Sequence, residues 1–177
     1  MSVAHVGKLL IENTQRRVLV DLPLLRSRTE LIRSWSGVAH CDLSLTVVGD
    51  TAMRTLNRQL RGVDKATDVL SVALHRRLKP SQPVPAIAGI YDLGDLYLCA
   101  PYIDRCVKRK QIACLQSYMA RLVCHGLLHL RGHTHDADAD FAAMSEQEQQ
   151  LVARLHAHDV AFRYSFDAEE VATKKQR

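Results

Sequence analysis

Four of the chain's nine histidines fall within eleven residues, in Val123-Cys124-His125-Gly126-Leu127-Leu128-His129-Leu130-Arg131-Gly132-His133-Thr134-His135-Asp136. His125 and His129 are four residues apart. On a helix that spacing puts both imidazoles on one face, one turn apart, close enough to share an ion. Gly132 follows and is able to take the left-handed conformation that ends a helix. The chain can then turn back and bring His135 to the same ion. Three neutral nitrogens with a fourth position left to water are the donor set of a catalytic zinc site rather than a closed structural one. One zinc per chain is therefore expected on His125, His129 and His135. His133 competes with His135, because an unbroken helix would carry the four-residue spacing on to it; the glycine favours His135 and leaves His133 exposed or beside a ligand.

The spacing H-x3-H-x2-G-x2-H matches the zinc motif of the metzincin proteases in every position but one. Those enzymes carry a glutamate after the first histidine as general base, and this chain has Gly126 there. Without a carboxylate to take the proton from water, proteolysis loses its base. The spacing speaks for zinc and the substitution speaks against a peptidase.

Elements of several kinds must hold this cluster. Val6 to Glu12 reads as an edge strand. Asp21-Leu22-Pro23 reads as a helix start, with Asp as cap and Pro in the first turn, and Gly37 ends that helix. Leu43, Leu45 and Val47 alternate with Ser44 and Thr46, as in a half-buried strand. Asp50 is expected to cap a helix running to Gly62. Val69 to Leu74 is a third strand. His75 to Asp92, with Pro80, Pro83 and Pro85, reads as a long surface loop. Leu96-Tyr97-Leu98 is a fourth strand, Pro101 marks a helix start, and a long helix is expected from Gln111 to Leu130. A last helix covers Phe141 to His156, and the tail from about 167 to 177 is polar. The expectation is an α+β class fold: a single layered domain over residues 1–177, with a four-stranded mixed sheet, about five helices, and the zinc site on the long central helix.

The bulk properties set limits. Apolar residues make up 47% and aromatics 5%, so the core must be aliphatic. The formal net charge of +5 suits a polyanionic partner without requiring one. Five cysteines, with no C-x-x-C, argue against a disulfide framework and for a reducing compartment inside a cell. No apolar run approaches the roughly 18 residues of a membrane span. Arg16, Arg17, Arg26, Arg28 and Arg33 suggest an organelle transit peptide, but Glu12, Asp21 and Glu30 interrupt them.

The segment His-Gly-x-Leu-His-Leu-x-Gly-x-x-His closely resembles the signature of the YbeY family of ribosomal-RNA maturation endoribonucleases. Leu56-Asn57-Arg58-Gln59-Leu60-Arg61-Gly62 and Thr67-Asp68-Val69-Leu70-Ser71 resemble two further elements of that family, and Leu93-Gly94-Asp95-Leu96 resembles another. Order and spacing agree across about residues 40–155. Departures are Ser71-Val72-Ala73, where the family usually has Ser-Phe-Pro, and His133-Thr134, where it often has Tyr-Asp. The resemblance implies zinc at His125, His129 and His135 and a functional Arg61 near the metal. It implies cleavage of single-stranded RNA in ribosomal RNA processing and ribosome quality control, with small ribosomal subunit proteins as further partners. It is compatible with a bacterial cytoplasm or with a mitochondrion or plastid.

Zinc lowers the pKa of bound water from about 15.7 to about 7 and can polarise a phosphoryl oxygen. A guanidinium offers a planar fork of donors to the charge that builds on a phosphodiester under attack. Two routes stay open: attack on phosphorus by activated water, or activation of the RNA 2′-OH. Asp68 and Ser71 are candidates to shape the loop or position Arg61. Asp136 is a candidate to orient a ligand histidine, Asp95 is expected at a strand end by the cleft, and Met144 beneath the metal or in ordinary core. Cys124 is expected to point away from His125 as a small buried hydrophobe. Basic clusters at Arg54, Arg58, Arg61 and Lys65, at Arg76, Arg77 and Lys79, and at Arg105, Lys108, Arg109 and Lys110 can hold an RNA backbone or form a solvated face. The rival readings are a metallopeptidase and a non-catalytic ribosome-assembly factor stabilised by zinc.

Overall fold

A computed structural model describes residues 6–112, 114–135 and 137–158. The polar tail expected at about 167–177 lies outside them. The strands are β1 (Leu9–Asn13), β2 (Asp42–Val48), β3 (Val69–Ala73), β4 (Ala86–Ile87) and β5 (Ile90–Cys99); the helices are α1 (Leu22–Trp35), α2 (Asp50–Arg61), α3 (Ala100–Lys110), α4 (Leu115–Leu130) and α5 (Asp138–His158). The sheet runs β1-β2-β5-β3, with β4 paired to β5. β1, β2 and β5 are mutually parallel, and β3 is antiparallel to β5. The fold is α+β with a mixed sheet and, among the described residues, five helices, as expected; the sheet has five strands where four were expected, the short β4 being the addition.

Alternation along the strands divides the core. Leu43, Leu45 and Val47 of β2 and Leu96 and Leu98 of β5 point to one face, where they meet Leu25 and Ile32 of α1, Ile103 of α3, and Met119, Val123 and Leu127 of α4. Val48, Leu70 and Cys99 point to the other face, onto Met53 of α2. Complete burial of a leucine side chain contributes about 1.5–3 kcal/mol relative to leaving it exposed. α4, with eleven buried residues in sixteen, is the central helix between the sheet and its neighbours.

Several boundaries differ from the expectation. The Asp21 carboxylate does cap α1, accepting from Leu24 N at 2.9 Å. Asp50 does not cap α2: Gly49 is the N-cap and Asp50 sits in the first turn, where its carboxylate pairs with Arg105 of α3 at 2.6 Å. The long helix starts at Leu115 rather than Gln111, because Gln111 takes φ 57° and ends α3. Residues 75–92 are not all loop. A two-residue turn with φ 51° at Ala88 and 80° at Gly89 joins β4 to a β5 that begins at Ile90, the positive-φ pair that a tight hairpin requires. Val84 of this segment is buried in the main core.

Candidate metal centre and its cleft

α4 carries His125 and His129 on the part of its surface that the sheet does not cover. The end of the helix then does two jobs. Gly132 N–H donates to His129 O at 2.9 Å and His133 N–H donates to Leu128 O at 3.0 Å, the paired bonds that close a helix on a left-handed residue. Gly132 supplies that residue with φ 87°. A Cβ there would lie 2.0 Å from the Leu78 carbonyl oxygen, so only glycine fits beneath the crossing loop. Arg131 fastens the same corner by donating to Ser36 O at 2.9 Å and Pro80 O at 3.2 Å. The reversal brings His135 back over the helix face.

His125, His129 and His135 each offer a ring nitrogen, all within 4.8 Å of one another, an arrangement that can hold a metal ion. His129 Nδ1 donates to the His133 carbonyl at 3.0 Å, and His125 Nδ1 donates to Glu148 Oε2 at 2.9 Å. With both Nδ1 atoms bound to acceptors, the neutral form of each ring has its lone pair on Nε2. Those two Nε2 atoms face each other at 3.1 Å. Two lone pairs at that distance repel, and a shared cation, whether a metal ion or a proton, relieves the repulsion. Tetrahedral zinc, with bonds of about 2.0–2.1 Å, separates its ligand nitrogens by about 3.3 Å. The donor set therefore fits a metal of this kind. Burial, then the His125 imidazole, pushes the His129 pKa down to about 4, with Arg61 among the lesser contributors, so His129 is neutral and ready to ligate at pH 7.

His133 contributes its main-chain carbonyl, and its ring is not in the group. Sequence reasoning missed Glu148. The Glu148 carboxylate of α5 accepts from His125 and from Arg121 Nε at 3.1 Å. Burial raises its pKa, but the hydrogen bonds from His125 and Arg121 and the charge of Arg121 outweigh that and hold it below the usual range. A signal for it was present: Glu148 is the one acid in the stripe of buried α5 residues Met144, Leu151 and Leu155, at helical spacing. Asp136, a candidate either for that orienting role or for a plain turn, lies outside the described residues.

Gly126 stands where a metzincin has its glutamate. A Cβ on it would meet Leu96 Cδ2 at 2.7 Å and Ser71 Oγ at 3.2 Å. The position faces the sheet.

Arg61 is the last residue of α2 and is exposed, ahead of Gly62 in a left-handed cap. Its charge is the smallest of the influences that lower the His129 pKa. Asp68 does not pair with Arg61. It accepts from Thr67 Oγ1 at 3.1 Å and Val69 N at 2.9 Å, a structural role at the start of β3. Asp95 is in the middle of β5 and acts on Tyr97, on the face away from α4, rather than at a strand end by the cleft. Met144 is core and also lines the cleft. Cys124 is fully buried, and its thiol pKa is raised by desolvation.

The cleft beside the triad has a volume of about 380 Å³ and is bounded by α4, α5, the end of α3 and the start of β3. The basic clusters divide. Arg54 is tied to Asp64 at 2.6 Å, Arg105 to Asp50, and Lys108 to Asp104 at 2.7 Å. Arg61 and Lys110 pair with no carboxylate among the described residues. No described helix is long and apolar enough to cross a membrane.

The family model for endoribonuclease YbeY matches residues 11–156. The human protein named endoribonuclease YbeY is 32% identical over 148 residues, covering 83% of this chain and 87% of that one. The protein of that name from Nitrosomonas eutropha is 35% identical over 133 residues, covering 73% and 85%. The solution structure of TM1509 from Thermotoga maritima shares the fold with a TM-score of 0.53 at 18% identity, covering 86% of this chain and 94% of that one.

Proposed function

The chain belongs to the endoribonuclease YbeY family, and from that premise we propose that it is a zinc-dependent endoribonuclease that cuts single-stranded RNA. The observation that carries this reading is the facing Nε2 pair of His125 and His129, 3.1 Å apart with both Nδ1 atoms already bound. His125, His129 and His135 would hold the zinc. When bound, the ion supplies a Lewis acid for a phosphoryl oxygen and an acidified water site.

The chain's own residues do the rest. The Glu148 carboxylate and the His133 carbonyl fix the tautomers and angles of two ligand rings. Glu148 stays engaged with His125 and Arg121, so it holds a ring and takes no proton from the nucleophile. Arg61 presents a permanently charged fork to the non-bridging oxygens where negative charge grows. Ribosomal RNA is the substrate favoured by the motif resemblance, in its maturation and in ribosome quality control, with small-subunit proteins as partners. A peptidase reading lacks its carboxylate, and a side chain at Gly126 would first have to displace Leu96.

The test is metal content of the purified chain together with end-group analysis of cleaved RNA. About one zinc per chain and metal-dependent cleavage of single strands are expected. A cyclic phosphate at the new end identifies 2′-OH attack; a linear end from the start identifies attack by water. Carefully prepared protein without transition metal, or with metal and no action on RNA, would overturn the reading.

A further inference from the structure

Of the residues that line the cleft beside the triad, Phe141 and Lys110 have been given no role so far. Phe141, in the first turn of α5, leaves 61% of its surface in solvent while lining the same space as His125 and His135. Single exposed apolar residues are ordinary. This one is an aromatic ring in a chain that has few, and it stands on the rim of the metal cleft. Beside it, Lys110 places its Nζ 5.8 Å from the centroid of the Tyr118 ring. Its neighbours Arg105 and Lys108 are neutralised by Asp50 and Asp104, but Lys110 pairs with no carboxylate among the described residues.

We propose that this cleft is a nucleotide subsite, in which the Phe141 ring stacks on an unpaired base and the Lys110 ammonium holds the adjoining phosphate. The proposal deepens the ribonuclease reading and rests on it. A cleft of about 380 Å³ lies within the range of small-molecule sites, about 300–1,000 Å³. A phosphodiester chain entering the cleft would meet the Lys110 ammonium. A base in a duplex has both faces stacked and cannot offer one to Phe141, whereas a single strand can. The subsite would thus select single strands by stacking, with little sequence preference, since every base has a π face.

The experiment uses the zinc-loaded full chain with a short 2′-O-methyl RNA single strand for binding, by fluorescence anisotropy, and the unmodified strand for cleavage. Phe141→Ala should weaken binding about tenfold and Phe141→Trp should restore it, with zinc content unchanged. One abasic position should cost wild type about tenfold and cost Phe141→Ala nothing, a non-additivity that a merely structural residue does not produce. Lys110→Ala should lower the slope of affinity against salt by about one. Equal binding by Phe141→Ala and wild type, equal abasic losses in both, or no binding of the strand by wild type would each overturn the subsite. Binding with the abasic pattern intact but no cleavage would support the subsite and overturn the nuclease reading.

Discussion

The carboxylate of Glu148 on α5 lies 2.9 Å from Nδ1 of His125 on α4, so one helix holds the histidine and another sets its angle. Glu148→Gln keeps the size of the side chain and removes its charge. Removing such a partner from a ligand histidine typically costs 10–100-fold in metal affinity. Chelator competition should show a loss of about tenfold for Glu148→Gln and more for Glu148→Ala. Unchanged zinc affinity in both would remove Glu148 from the site.

Arg61 is exposed and ends its helix, so its loss should leave the fold intact. Arg61→Ala is expected to abolish RNA cleavage while retaining zinc and a wild-type circular dichroism spectrum. Arg61→Lys keeps the charge but not the fork, and should recover only part of the rate. Full activity in the alanine variant would exclude the residue from the chemistry.

Gly132 combines φ 87° with a carbonyl 2.0 Å from where a Cβ would sit. Gly132→Ala should cost about 2 kcal/mol or more, lowering Tm by roughly 5 °C or more. Zinc content should fall with it, because the same turn brings His135 to the group. A thermal scan and a metal assay on one sample check both; a stable variant with full zinc would contradict the account of the turn.

Hydrogen bonds from Arg105 hold the Asp50 carboxyl below the ordinary carboxylate range. A depressed folded pKa adds stability above the unfolded value of about 3.9, which is lost as pH falls through the folded one. Both side chains are partly solvated, at 57% and 29% exposure, so the pair contributes under about 1 kcal/mol. Asp50→Asn should therefore unfold at lower denaturant than wild type at pH 7, and the gap should close near pH 2. A gap that persists there would point to the helix start rather than the ion pair.

The grouping of His125, His129 and His135 was legible because it is local: helical spacing and one helix-ending glycine bring three rings together within eleven residues. The choice of His135 over His133 followed from the same break. Glu148 was missed because its partner is 23 positions away on another helix, and only packing brings the two together. The β4–β5 hairpin was missed because three prolines dominate the segment before it and because its strand residues are exposed, leaving no inside-outside alternation to read. Asp50 was read as a cap from its type, but its carboxylate turned to an arginine 55 positions along the chain. What pairs across elements is decided by the sheet order and the helices laid upon it.

His129 takes its aim from the main chain at residue 133 and not from that residue's ring. No side-chain replacement deletes a peptide oxygen. The side chain at position 133 can change while its main-chain oxygen goes on steering the His129 ring, so the atom that aims this imidazole is one that no list of side chains records.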